Sequence, residues 1–458
     1  MMPGKRRFLI AALACLPTLV WAASPRAAAD KPTASTYFVL DNGLQVLIQE
    51  RRGLGLTAMT LAIDLGTKDE TDGTSGYAHL LEHMLLFGAG VASDSDARLA
   101  ELRGHGVETN AHTDHDLMTF EVSCPAAEGA WALERMRQTV FSGRLDPDRL
   151  EDEKRIIGEE ILQLRDDPDQ LGRMLLMEQL FAGHPYGRPI FGDGNSIRAA
   201  TVAGLQAFCA PRLVPERCAL AIFGDFTLAE MERDVRRAWG TLSRGTVPAP
   251  DVPAAGRLER NNEQRIELDL QESHLFIGWL APAFNDELRL SFSLLTHLLG
   301  RGLNPIMNSV LRGNRQLVDR VSMGYVAMRS GGMAVLHLTL AEKNLRSARS
   351  EVAAFLSNIG SFHFSRDDVP LQYRQGMLDY LESAKNQMEY SDGNFRESTL
   401  NLSVASARFL LQNRSAIDGS YVESVDKVNS GDLRRAAGKF LSGKKWAVLA
   451  ITPAGKKK

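Results

Sequence analysis

Cysteine is scarce in this chain. There are four among 458 residues, and Cys15 lies in the N-terminal segment, leaving Cys124, Cys209 and Cys218. So few, and an odd number, exclude a scaffold built on disulfides. Cys209 and Cys218 could pair in an oxidising compartment, with buried thiols as the equal alternative, and neither has metal-ligand spacing. A surplus of one charge sign is missing too. Fifty-three basic and 56 acidic residues are well mixed and leave a net charge of −3, which argues against a nucleic-acid surface. The terminal Lys456-Lys457-Lys458 reads as a solvated tail. Beyond residue 21 there is no apolar run long enough to cross a bilayer. The one marked run, Phe8 to Trp21, follows Lys5-Arg6-Arg7 and is itself short for a span. Val20-Trp21-Ala22 fits a small-residue cleavage site, so residues 1–23 read as a cleaved signal peptide. A lipoprotein signal through Cys15 fits less well, because Ala12-Leu13-Ala14 is a poor match to the usual preceding residues. The expected compartment is periplasmic or extracellular, with no transmembrane segment after cleavage.

What is present is an ordinary globular composition, 44% hydrophobic and 24% charged, long enough for two or three domains. Tyr37 to Leu40, Asp41-Asn42-Gly43 and Leu44 to Ile48 read as a strand, turn and strand, since Asn-Gly is a strong turn signal. Met59, Leu61, Ile63 and Leu65 alternate with smaller or polar residues as a third strand. A helical segment near Ser95 to Arg103 and a strand at Leu117 to Cys124 follow. Asp146-Pro147 opens a long helix to Leu164, a cap followed by a first-turn proline. Further elements are expected at Gln170–Phe181, Thr201–Phe208, Ala219–Asp225 and Leu228–Trp239. Residues 246–262, with Pro248, Pro250 and Pro253, read as a linker. Beyond it the order recurs loosely: a strand over Arg265–Leu280, a helix over Leu288–Leu299 and a strand over Met328–Leu340. Helices near Leu345–Ile359 and Asp367–Met388 and a closing strand at Trp446–Ile451 complete it. Two α+β halves of about 200 residues each suit this length.

The chemistry is concentrated in His79-Leu-Leu-Glu82-His83. Thr74 or Ser75 can cap a helix there and Gly88 can end it. On that helix His79 and His83 share a face, so two imidazoles can hold one metal ion. Glu82 lies beside them, placed to act on a metal-bound water. This is HxxEH, the inverse of HExxH. The pattern arises by chance roughly once in a hundred such chains, so its meaning turns on a third ligand. Spacing alone cannot choose that ligand among 56 carboxylates. The second half holds no HxxEH, and His297 stands there without a partner. His112 and His115, three apart, are the rival ligands. His184, in a Pro/Gly-rich turn, reads as structural.

HxxEH followed about 75 residues later by Glu-x6-Glu on a helix resembles the pitrilysin and mitochondrial processing peptidase family, zinc metallopeptidases of the inverzincin type. Glu153-Lys-Arg-Ile-Ile-Gly-Glu-Glu160 matches the second motif. Leu40-Asp-Asn-Gly-Leu-Gln-Val46, Gly66-Thr-Lys-Asp-Glu70, Gly76 to Met84, Thr109-Asn-Ala111, His184 to Pro189 and Gly224-Asp225 are similar to its N-terminal half. The resemblance is strong over about residues 36–240 and weaker beyond. It implies an α+β fold of two homologous domains, each an antiparallel sheet packed with helices: a catalytic zinc-binding domain over 35–245 and a non-catalytic domain over 263–458. By the same resemblance His79, His83 and Glu160 would hold one zinc ion and Glu82 would be the general base. Glu153 would support the site from behind the ligands, and Asn110 and Ala111 would hydrogen-bond an extended peptide. A surface carboxylate and an ordinary turn are the plain alternatives for those last two assignments.

One departure stands out. Where the family places a tyrosine seven residues after a substrate-binding arginine, Arg312 is followed by Asp319, and the nearest tyrosine is Tyr325. The expected assembly is therefore a homodimer, or a heterodimer with a related non-catalytic chain carrying the Arg/Tyr pair. The expected activity is zinc-dependent endopeptidase action on peptides or unfolded segments. A non-catalytic scaffold subunit and a processing peptidase for one precursor are the alternatives.

Overall fold

The structure, a computed structural model, describes residues 34–86, 95–142, 145–245, 252–313, 315–375, 379–413 and 421–454. The expected signal peptide, the helix end at Gly88 and the first part of the linker lie outside these residues.

Two sheets organise the molecule. The first contains β1 (Ser35–Val39), β2 (Gln45–Glu50), β3 (Leu56–Ile63), β4 (Glu108–Thr113), β5 (Met118–Pro125) and β6 (Cys218–Gly224), in the order β1-β2-β6-β3-β5-β4. The second contains β7 (Asn262–Leu268), β8 (Ser273–Ala281), β9 (Arg320–Met328), β10 (Gly331–Leu340) and β11 (Ala447–Pro453), in the order β7-β11-β8-β10-β9. Without β1 the two orders are the same. Each is mainly antiparallel with one parallel pair, β2 with β6 and β7 with β11. The closing strand of each half enters the middle of its sheet, so β6 is buried along its whole length. That explains its uninterrupted apolar run, Ala219 to Phe223.

Several elements depart from the expected ones. Arg265–Leu280 is two strands, β7 and β8, because Asp269 to Glu272 turns the chain. Met328–Leu340 is the second arm of a hairpin whose first arm, β9, lacks clean alternation. The helix expected from Asp367 begins only at Tyr380 and runs to Glu397. Pro370 cannot sit within a helix, and the Asp379 carboxylate caps the later start by accepting from the Glu382 amide at 3.1 Å. Cys124, Cys209 and Cys218 are all free thiols.

The halves also exchange helices. Four helices carry the candidate site and the exchange: α1 (Tyr77–Leu86), α2 (Pro147–Gln163), α3 (Pro168–Leu180) and α4 (Thr399–Asn413). From the first half, α3 packs on the second sheet, where Leu176, Met177 and Leu180 join Phe276, Val335 and Leu449. From the second half, α4 packs on the first sheet, where Ala407 and Leu410 meet Ala62, Ala219, Ala221 and Phe223. Gly172 makes the first contact possible, since a Cβ there would stand 2.3 Å from the Phe276 ring. The interface thus contains two small apolar cores. Among the described residues no helix is long and apolar enough to cross a membrane.

Candidate metal and catalytic centre

The amino end of α1 is built on Glu70. Its carboxylate accepts from the backbone amides of Gly76 at 2.9 Å and Ala78 at 2.8 Å, satisfying donors that an opening turn leaves unpaired. The carboxyl also meets the positive end of the helix dipole, and burial pushes it up to about 8 against the pull of the two amides. The cap is therefore neither Thr74, whose hydroxyl bonds Thr71, nor Ser75. Gly76 takes φ +86 at this junction, and a Cβ there would lie 2.8 Å from the Gly192 backbone. Only glycine fits both conditions.

α1 is buried almost throughout, so His79, Glu82 and His83 face a protein-lined space. Their donor atoms all lie within 4.8 Å of one another. From α2, whose Asp146 cap and first-turn proline form as expected, the Glu160 Oε2 atom stands 3.8 Å from His79 Nε2 and 3.8 Å from His83 Nε2. Two ligands of a tetrahedral zinc ion, each about 2.0–2.1 Å from it, stand roughly 3.3 Å apart. The observed separations are near that. Among the described residues, Glu82 Oε2 and Glu160 Oε2 are buried with no hydrogen-bond partner; so is His79 Nδ1, which is not the ring nitrogen that faces Glu160. Buried polar atoms are normally paired, and here two imidazoles and a carboxylate converge on one point. The donor set fits a zinc ion.

The electrostatics agree. Burial, then the charge of His83, holds the His79 imidazole well below its ordinary pKa, so it is neutral and able to donate a lone pair. Burial also acts downward on His83, but the Glu153 hydrogen bond and the charges of Glu160 and Glu82 carry it above the ordinary value. Burial raises the carboxyls of Glu82 and Glu160. A bound cation would relieve both, since it supplies the charge they lack.

Glu153 is fully buried. Its Oε2 lies 3.0 Å from His83 Nδ1, and its Oε1 accepts from Arg149 at 2.7 Å. The bond to Nδ1 sets the tautomer and ring direction of His83 and leaves Nε2 facing Glu160. Phe191 packs edge-on against the His79 ring at 5.1 Å between centroids. Asn110 and Ala111 lie on β4, an outer strand of the first sheet that packs against α1.

The rival histidines are outside the donor cluster, although His112 is near enough for its charge to act on Glu82. His112, on β4, accepts from Asn110 Nδ2 at 3.1 Å and is 3.7 Å from Glu121. His115 is buried with Nδ1 2.8 Å from the Thr67 hydroxyl, and burial pushes its imidazole down to about 4. His184 accepts from the Tyr186 amide and bonds the Pro253 carbonyl. In the second half, Tyr325 donates to the Pro282 carbonyl at 2.7 Å and packs against Phe292, while Arg312 is exposed in the turn after Asn308. Three contributors escaped the sequence: Glu70, Arg149 and Phe191. Only Arg149, four residues before Glu153 on one helix, left a readable signal.

The profile described as "Insulinase (Peptidase family M16)" matches residues 46–194, and "Peptidase M16 inactive domain" matches 199–372. The chain belongs to the M16 peptidase family. Its relatives include an uncharacterised zinc protease of Mycobacterium leprae, 28% identical over 76% of this chain and 79% of that protein. A probable mitochondrial-processing peptidase subunit beta of Arabidopsis thaliana is 21% identical over 90% of this chain and 77% of that protein. The structure of a protease from Helicobacter pylori has the same fold, with TM-score 0.79 at 18% identity, covering 92% of this chain and all of that one. The pair His79/His83 and the helix bearing Glu153 and Glu160 both fall within the first matched M16 segment. The segment matched by the inactive-domain profile contains β7 to β10.

Proposed function

We propose that this M16 chain is a zinc-dependent metalloendopeptidase acting on peptides or unfolded segments, exported by way of residues 1–23. The observation that carries the reading is the Glu160 oxygen 3.8 Å from both Nε2 atoms, with the buried Oε2 atoms of Glu82 and Glu160 lacking any hydrogen bond. His79, His83 and Glu160 would hold one zinc ion. When bound, zinc supplies a Lewis acid that eases deprotonation of the attacking water and polarises the scissile carbonyl. The protein's own groups do the rest. Glu82 accepts the proton of the attacking water and returns it to the leaving amine. Glu153 and Arg149 hold the His83 ring in place. β4 presents a sheet edge at Asn110 and Ala111 to which an extended peptide adds as a strand, pairing through backbone groups common to all sequences.

A second reading rests on Asp319 at the position of the family tyrosine and on Tyr325 being engaged by Pro282. On that reading the working enzyme is a heterodimer whose related partner supplies the Arg/Tyr pair.

The deciding experiment is zinc analysis and peptide cleavage on the purified chain, alone and with any related chain from the same source. Glu82→Gln should keep zinc and lose about 10²–10⁴ in kcat. A wild-type chain that holds no zinc and is indifferent to Glu82→Gln ends the enzyme reading. Full activity of a homodimer ends the partner reading.

A further inference from the structure

The second half reaches the metal-bearing helix through a buried ionic network. In the turn between β9 and β10, the Arg329 guanidinium pairs with Asp64 at 3.1 Å, and its backbone amide donates to Asp116 Oδ2 at 2.7 Å. The next amide, of Ser330, donates to the Tyr186 hydroxyl at 3.1 Å, and that hydroxyl donates to Asp116 Oδ1 at 2.6 Å. From α4, Arg408 pairs with Asp114. Two loops of the first half are thus held from across the interface, one at residues 64–70 and one at 114–117.

Those loops are also bonded to each other. The amides of Thr67 and Lys68 donate to the carbonyls of Asp114 and His115 at 3.2 and 3.0 Å. The fully buried Lys68 ammonium donates to the Asp116 carbonyl at 2.8 Å and pairs with Asp64 and Asp69 at 3.0 and 2.7 Å. Arg217 and Arg212 complete the cage around Asp69 at 3.2 and 3.3 Å. The residue after Asp69 is Glu70, whose carboxylate caps α1 just ahead of His79. The path from Arg329 to α1 therefore runs through the ion pairs of Asp64, Lys68 and Asp69 and then the hydrogen bonds of Glu70.

We propose that Arg329 is a positioning residue for the metal-bearing helix: through Asp64 and the loops at 64–70 and 114–117, the second half sets the geometry of His79 and His83. This gives a half without HxxEH a stake in the site, and it ties metal affinity to closure of the two halves. Removing Arg329 leaves Asp64 with one fewer cation in a desolvated cage, which such a cage relieves by shifting the loop. Affinity is sensitive to shifts of this kind, because supporting contacts around a zinc site are worth 10–100-fold in binding.

The proposal rests on the zinc reading for its consequence, so the test has one arm that needs no metal. Hydrogen exchange is followed in the metal-free full-length chain over residues 77–84, and zinc affinity is measured by chelator competition. Arg329→Ala should speed exchange in that segment and weaken zinc by about tenfold, and Arg329→Lys should recover most of both. Leu433→Ala, in the second half's own core, is the control. It should lower Tm while leaving exchange over 77–84 and zinc affinity within about twofold, because it touches no part of the network. Should Arg329→Ala not fold, Arg329→Gln serves the same comparison. A lowered Tm for the Arg329 variant with unchanged exchange and affinity overturns the proposal. Absence of zinc from the wild type overturns the metal reading instead, and the exchange arm still decides the positioning role.

Discussion

Glu153 shows how one side chain acquires a role from its surroundings. Its spacing from Glu160 places both on one helix face, which a solvated carboxylate pair would satisfy equally well. In the fold it is held between Arg149 and His83 Nδ1 with almost no exposure. Glu153→Gln keeps size and one acceptor oxygen but loses the charge facing His83. It is expected to weaken zinc binding by 10–100-fold in a chelator competition, with little change in the far-ultraviolet circular dichroism. An unchanged dissociation constant would return Glu153 to the role of a packed carboxylate. His79 and Glu82 need no such support to be recognised, because four residues of sequence carry their mutual geometry.

At the scale of elements, α1 is organised from outside itself. Helices normally take their first-turn partner from the residue just ahead, as α2 does from Asp146 and α3 from Asp167. α1 takes it from Glu70, six and eight residues before the amides it caps. Glu70→Ala is expected to cost about 1–2 kcal/mol of stability in urea denaturation, the scale of a lost cap. It should also speed amide exchange at the start of α1. A loss within experimental error would mean that Thr74 or Ser75 takes over. β4 tells a related story. Short and placed at the sheet edge beside α1, it lacks strand periodicity in sequence, where only the family resemblance set Asn110 and Ala111 on an edge strand against an ordinary turn; its pairing with β5 makes it a strand.

On the scale of the whole molecule, the two halves are joined by the exchanged helices and by polar contacts at their rims. One such contact is Asp169 of α3, whose Oδ1 lies 3.0 Å from His337 Nδ1 on β10 and 3.2 Å from Arg173 Nε. His337 is bonded in turn to His274 at 3.0 Å. Against the upward push of burial, His337 and Arg173 hold the Asp169 carboxyl at about 2. A folded-state pKa below the unfolded one stabilises the protein at pH above the ordinary carboxylate value, and the gain is lost as pH falls toward 2. Because Asp169 is 42% exposed, screening reduces the effect to on the order of 1 kcal/mol. Asp169→Asn should therefore destabilise the protein by about that much near neutrality and by progressively less as pH falls from the ordinary carboxylate value toward 2, read from urea midpoints across pH. Equal destabilisation at both ends would assign the effect to packing.

The sequence by itself determined what short-range periodicity and spacing can carry: the two α+β halves, the hairpin at Asp41-Asn-Gly43, the capped helix from Asp146 and the HxxEH turn. These depend on contacts within a few residues, where backbone geometry dictates which side chains share a face. Tertiary structure decided what depends on distant pairing. It brought Glu160 to 3.8 Å from both imidazoles, left His112 and His115 outside the cluster of donor atoms formed by His79, Glu82 and His83, and put Glu153 behind His83. It also carried α3 and α4 across to the opposite sheets, where small residues such as Gly172 and Ala407 let the elements close together. No local pattern records such exchanges, because an apolar helix face reads the same whichever sheet it covers.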